Sequence, residues 1–166
     1  MADTATITMN AVLLPDEITK TLSNLTYSYT PSDANDKWFY RLINVTNSSA
    51  DLISGAFLSK SDGEATATAA VDIAAGSDLV KFLFIKNTGT TDGTTTTDES
   101  IYICFDGGTA AHNLADAIEI GAGESWYGKL PSTIVGNLHA VSGDSGASSS
   151  GEGNVQCVVA AIIDDV

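Results

Sequence analysis

Along most of this chain, apolar and polar positions alternate with a period of two. In "TATITMNAVLL" (4–14) threonines sit between apolar residues, and "ITKTLSNLTYSYT" (18–30) repeats the pattern up to Tyr27 and Tyr29. In "KWFYRLINVT" (37–46), Trp38, Tyr40 and Leu42 fall on one side and Phe39, Arg41, Ile43 and Val45 on the other. Successive strand residues point to opposite faces of a sheet, so this alternation predicts strands. "LVKFLFIKNT" (79–88), "SIYICFD" (100–106) and "NVQCVVAAII" (154–163) are strong apolar segments of strand length. "AIEI" (117–120), "ESWYGKL" (124–130) and "IVGNLHAVS" (134–142) add further strands, with weaker ones at "DLISGAFLS" (51–59) and "EATATAAVDIA" (64–74). No segment repeats apolar residues at helical spacing, and "AAHNLADA" (110–117) has room for a helical turn or two. About ten strands separated by polar turns predict an all-β fold: an antiparallel two-sheet sandwich, jelly-roll-like in version.

The loops change the picture after residue 88. "NTGTTDGTTTTDES" and "SGDSGASSSGEGN" are long, polar and rich in glycine, serine or threonine. In the first, Asp92-Gly93 is a turn dipeptide and predicts a hairpin tip. In "GAGES" (121–125) the glycines predict a tight turn ahead of the next strand. No composition shift divides the chain, so residues 1–166 are expected to form one sandwich domain, with 1–14 either its first strand or an N-terminal arm.

Charge narrows the partners. Lys and Arg number 7 against 21 Asp and Glu, a net charge of -14. Such a surface repels phosphate backbones, which disfavours nucleic acid and anionic membranes. No apolar run reaches the roughly 18 residues of a membrane span, and "MADTATITMN" lacks the pattern of a secretory leader. Cys104 and Cys157 lie in apolar runs and read as small buried hydrophobes.

Two tetrapeptides suggest hydrolytic chemistry: Thr-Ala-Ala-His at 109–112 and Gly-Asp-Ser-Gly at 143–146, both typical of trypsin-like serine proteases. The spacing argues against a triad. His112 and Ser145 stand about thirty residues apart, room for three strands rather than most of two barrels. The serine also lies in a Gly/Ser run, the opposite of a preorganised oxyanion hole. Asp144 and Ser145 read as turn formers, His112 as a surface histidine and His139 as a hydrogen-bonded strand histidine. Metal-ligand spacings are absent from the sequence, and calcium is the one ion to weigh, at "SDGE" (61–64) and "TTDGTTTTDES" (90–100), neither with EF-hand spacing. No cofactor and no catalytic residue are expected. Trp38, Tyr40, Tyr102, Trp126 and Tyr127 are candidates for a sugar-binding platform, with core or subunit contacts as the competing reading.

The ordered series "LVKFLFIKNTGT", "SIYICFDGG", "AIEIGAGESWYGKLP", "NLHAVSG" and "VQCVVAAII" covers about the C-terminal half of the chain. It resembles small virion structural proteins of tailed bacteriophages, those of marine and cyanobacterial phages in particular. The resemblance implies a non-enzymatic capsid decoration (cement) protein, made in the host cytoplasm and bound to the major capsid protein on the outer head surface. Self-association as a homotrimer goes with that role. A tail or fibre component and a carbohydrate-binding sandwich are the alternatives. The candidate contact residues are Ile7, Met9 and Val12 in the N-terminal segment, with Trp38, Phe39 and Trp126.

Overall fold

The computed structural model describes residues 5–12, 21–30, 37–54, 56–58, 70–112, 114–143 and 153–166. Its strands are β1 (Ala5–Val12), β2 (Thr21–Tyr29), β3 (Lys37–Val45), β4 (Ala50–Asp51), β5 (Ala56–Leu58) and β6 (Ala70–Asp72). They continue with β7 (Leu79–Asn87), β8 (Ser100–Cys104), β9 (Ile118–Ile120), β10 (Ser125–Ile134), β11 (His139–Gly143) and β12 (Val155–Asp164).

Two four-stranded antiparallel sheets carry the fold, in the orders β10-β7-β12-β3 and β4-β11-β8-β9. Taken in chain order, their eight strands pair first with last (β3–β12), second with seventh (β4–β11), third with sixth (β7–β10) and fourth with fifth (β8–β9). This is one long hairpin rolled over itself, the topology of a jelly roll. The all-β, two-sheet expectation therefore holds. Two ribbons stand outside the roll: β1–β2 before it and β5–β6 between its second and third strands.

The core lies between the two sheets. Phe39, Leu83, Ile85, Cys157, Val159 and Ile163 from one sheet meet Ile101, Ile103, Ile120 and Ala140 from the other. Period two explains the choice: in β12, Val155, Cys157, Val159 and Ala161 are buried while Gln156, Val158 and Ala160 are half-buried on the opposite face. Each fully buried aliphatic side chain of this size contributes about 2 kcal/mol.

The structure redraws four segments, one of them "IVGNLHAVS" (134–142), in which Ile134 ends β10, Val135–Asn137 form a 3-10 turn and β11 begins only at His139. "DLISGAFLS" is not one strand, because the chain turns after Asp51. Leu52 and Ile53 then drop into the core at 2% and 0% exposure, with the Leu52 amide bonded to the Leu138 carbonyl at 2.8 Å. β10 does not end at Leu130 but runs through Pro131 to Ile134. It is an edge strand whose register against β7 slips between Lys129 and Thr133. A residue without an N–H is tolerated at such an edge irregularity. The described residues of 110–117 form turns rather than a helix, and Ala110 and Ala117 pack on Tyr102, Cys104 and Val141 on the outside of the second sheet.

Asn87 ties one end of the roll together. It is fully buried at the end of β7. Its Nδ2 donates to the Glu99 carbonyl at 2.8 Å and the Ile120 carbonyl at 3.2 Å, and its Oδ1 accepts from the Gly89 amide at 2.9 Å. Gly89 has φ +69, a conformation glycine adopts without strain. "IKNTG" is thus the point where β7, the 88–99 hairpin and β9 are joined. Replacing Asn87 with Ala strands two buried carbonyls, and we expect it to lower the unfolding free energy by about 3 kcal/mol. Urea denaturation reads this directly, and a loss below about 1 kcal/mol would contradict it.

Candidate docking face

The outer side of the sheet β10-β7-β12-β3 follows from strand parity. Register places Tyr40, Ala160, Phe84 and Tyr127 in one row across all four strands, and Leu42, Val158, Lys86 and Ser125 in the next. Tyr40 is 68% exposed, Leu42 57% and Tyr127 38%. Phe84, Val158 and Ala160 between them are half-buried. Large apolar side chains at this exposure, contiguous on a flat sheet, mark an interaction surface rather than scattered surface residues.

The β1–β2 ribbon covers one end of the face. Tyr27 stacks on Phe82 with ring centroids 5.1 Å apart at 17°, and Phe82 is consequently buried. Lys129 Nζ lies 5.9 Å from the Tyr27 ring centroid. Burial raises the Tyr27 hydroxyl above its ordinary pKa, an effect that Lys81 partly offsets. Lys81 itself pairs with Asp164 at 2.7 Å.

Charge is divided between the two sheets. Of the seven Lys and Arg, five lie in strands of the first sheet: Lys37 and Arg41 in β3, Lys81 and Lys86 in β7, Lys129 in β10. The strands of the second sheet carry none. On and around that sheet, Asp51, Asp106, Asp116 and Glu119 are exposed, as is Glu124 in the turn before β10. Register puts Lys86 and Lys129 on the outer face, whereas Lys37 and Arg41 share the parity of Phe39 and Arg41 donates to the Ser54 carbonyl at 3.2 Å.

The expected contact residues separate. Phe39 is 2% exposed and belongs to the core, so within this chain it offers nothing to a partner. Strand parity carries the reason: it shares its side of β3 with Ile43 and Val45, facing inward. Trp126 also packs toward the core, its ring 5.5 Å from Phe105. Trp38 pairs with Ile162 in register, and its side chain lies outside the described residues, as do those of Ile7, Met9 and Val12. The segment expected as arm or first strand is a strand here, paired with β2 from Ala5↔Tyr29 to Val12↔Thr21. The five aromatic candidates for a sugar platform do not assemble. Tyr40 and Tyr127 share the outer face, while Tyr102 is buried on the other sheet and Trp126 points inward. Leu42, Phe84 and Lys86 were not singled out from sequence. Their signal was present in the alternation of β3 and β7, but nothing local says that this face stays uncovered.

His112 is exposed and meets Tyr102 edge-on at 6.2 Å between centroids, while Asp144 and Ser145 lie outside the described residues, as does the "SDGE" segment. His139 joins three segments: Nδ1 donates to the Gly108 carbonyl, and Nε2 lies 3.1 Å from Asp51 Oδ1. Among the described residues, no three His, Cys, Asp or Glu side chains are placed to share a metal ion.

Asp92 caps the hairpin predicted at Asp92-Gly93. Its Oδ1 accepts from the Thr94 and Thr95 amides at 2.8 and 2.7 Å, and Oδ2 from the Thr95 hydroxyl at 3.0 Å. The Thr91 amide closes the turn on the Thr95 carbonyl at 2.9 Å. These bonds, the Thr95 amide first, hold the Asp92 carboxyl below its ordinary value of 3.8. Their contribution is complete above that value and is lost as pH falls through the lower, folded one. Amide shifts of Thr94 and Thr95 should therefore titrate with a midpoint below 3.8; a midpoint above it would contradict the capping role.

Cys104 and Cys157 are both free and buried, on different sheets. Burial pushes the Cys157 thiol up to about 12, and burial followed by Asp106 raises Cys104. The thiolate is the reactive species. A thiol reagent at neutral pH should leave both untouched in the native protein and label both after unfolding, counted by mass spectrometry.

No protein-family model, no curated protein and no solved structure matches this chain.

Proposed function

We propose that the chain is a non-enzymatic virion structural protein, a decoration (cement) protein that binds the major capsid protein on the outside of a phage head and stabilises the shell. The observation that carries this reading is the open face of Tyr40, Leu42, Phe84 and Tyr127 on a chain with net charge -14. Such a surface gains by being covered with protein, while the acidity keeps free copies dispersed until a matching surface is offered. The C-terminal sequence resemblance to phage virion proteins is what favours a phage head as the assembly. Jelly rolls serve capsids and lectins alike, so the fold is compatible with the reading without selecting it.

In this reading the β1–β2 ribbon reaches the shell. Two strands alone are marginal in water, and a neighbouring sheet edge or surface would add to the burial that the Tyr27–Phe82 contact provides. Many such contacts, each weak, hold in sum against the pressure of packed DNA. The Tyr127–Phe84–Tyr40 row favours a second reading, a carbohydrate-binding sandwich, because aromatic faces on a flat sheet also stack on sugars.

Purified particles should carry the chain in copy numbers that follow shell symmetry, and particles lacking it should release DNA at a lower temperature. Its absence from intact heads would overturn the proposal, and a label confined to the tail would replace it with a tail or fibre role. Specific glycan binding lost in Tyr127→Ala would favour the carbohydrate reading.

A further inference from the structure

The first sheet's outer face needs a partner that is acidic at its rim and apolar at its centre, and the chain itself presents one. On the far side of the sandwich, Ala110 and Ala117 pack on Tyr102, Cys104 and Val141 of the second sheet, and Leu114 between them in sequence is 37% exposed. The same stretch carries the exposed Asp106 and Asp116, with the exposed Glu119 in β9, and residues 105–120 contain no Lys or Arg. The other face offers Tyr40, Leu42 and Tyr127 with the exposed amines of Lys86 and Lys129. One patch is apolar with cations, the other apolar with carboxylates, and they sit on opposite outer sides of one slab.

We propose that the open face of the sheet β10-β7-β12-β3 docks a second copy of this chain through the Leu114 loop of that copy. The contact is heterologous, so copies stack front to back, closing into a ring if the rotation between them allows it. It rests on the reading of this face as a protein-docking surface given above. Charge complementarity decides between this arrangement and face-to-face pairing, which would set Lys86 and Lys129 against their own copies. The net charge of -14 does not forbid the contact. At physiological ionic strength the screening length is about 8 Å, so repulsion between whole molecules is damped while groups in contact still attract.

Sedimentation velocity on the purified full chain tests this, with two blocked variants, Tyr40→Asp and Leu114→Asp. Both positions are exposed, so both variants should keep the wild-type circular dichroism spectrum. Lys86→Glu is a second block of the same face should Tyr40→Asp fail to fold. The wild-type chain should self-associate. Each variant alone should be monomeric, and a one-to-one mixture should form a dimer and stop there, because one intact face meets one intact loop. A wild-type chain that stays monomeric at high micromolar concentration overturns the proposal. Loss of association in Tyr40→Asp but not in Leu114→Asp also overturns it, since the face would then meet something other than the loop. Particles that retain a chain found monomeric in solution would sink this inference alone and leave the virion reading standing.

Discussion

Mutual burial of two inner sheet faces is the constraint on which the molecule depends. Each four-stranded sheet has an apolar side that water disfavours, and each can cover the other. Phe39, Ile85 and Val159 from one sheet and Ile101, Ile103 and Ala140 from the other belong to one continuous core. The chain satisfies this by folding a long hairpin over itself, so that its last strand, β12, lies between β3 and β7. Strand β12 is consequently paired on both edges, and its run of Val, Ala, Cys and Ile suits that position.

Filling the space between the sheets leaves two outer sides, and the chain treats them differently. The second sheet is covered by its own loop, which buries Tyr102, Cys104 and Val141. The first sheet receives the β1–β2 ribbon over Phe82 and leaves Tyr40, Leu42 and Tyr127 in water. Cations gather on the sheet left open and carboxylates around the one that is covered. This asymmetry, more than any single residue, gives the molecule two chemically distinct outer sides.

Polar side chains at strand ends and turns fix geometry. Asn87 spends its amide on carbonyls from two other segments and on a glycine amide. His139 links β11 to Asp51 and to the loop at Gly108. Asp92 saturates its carboxylate on a turn of threonines. Each has its bonds within the fold, so its chemistry goes into fixing loop positions, and the two thiols are likewise removed from reaction by burial.

Strand existence was legible in the sequence because period two is a local property: Trp38 to Val45 alternate whatever they pair with. The Asp92-Gly93 tip and the "GAGES" turn were legible for the same reason, since positive φ at Gly93 and Gly123 answers a local need. Pro131 misled, because a proline resembles a strand end unless one knows that β10 is an edge. The inward side of β3 could not be read at all: both of its faces are apolar, and Phe39 looks no more buried than Tyr40. That choice was made by register with β12, more than a hundred residues away in the chain. The sequence alone determined a set of apolar strands and sharp turns in a chain that is acidic overall. Only tertiary pairing decided which apolar face went inside and which stayed open, because burial is a property of neighbours brought together from distant positions.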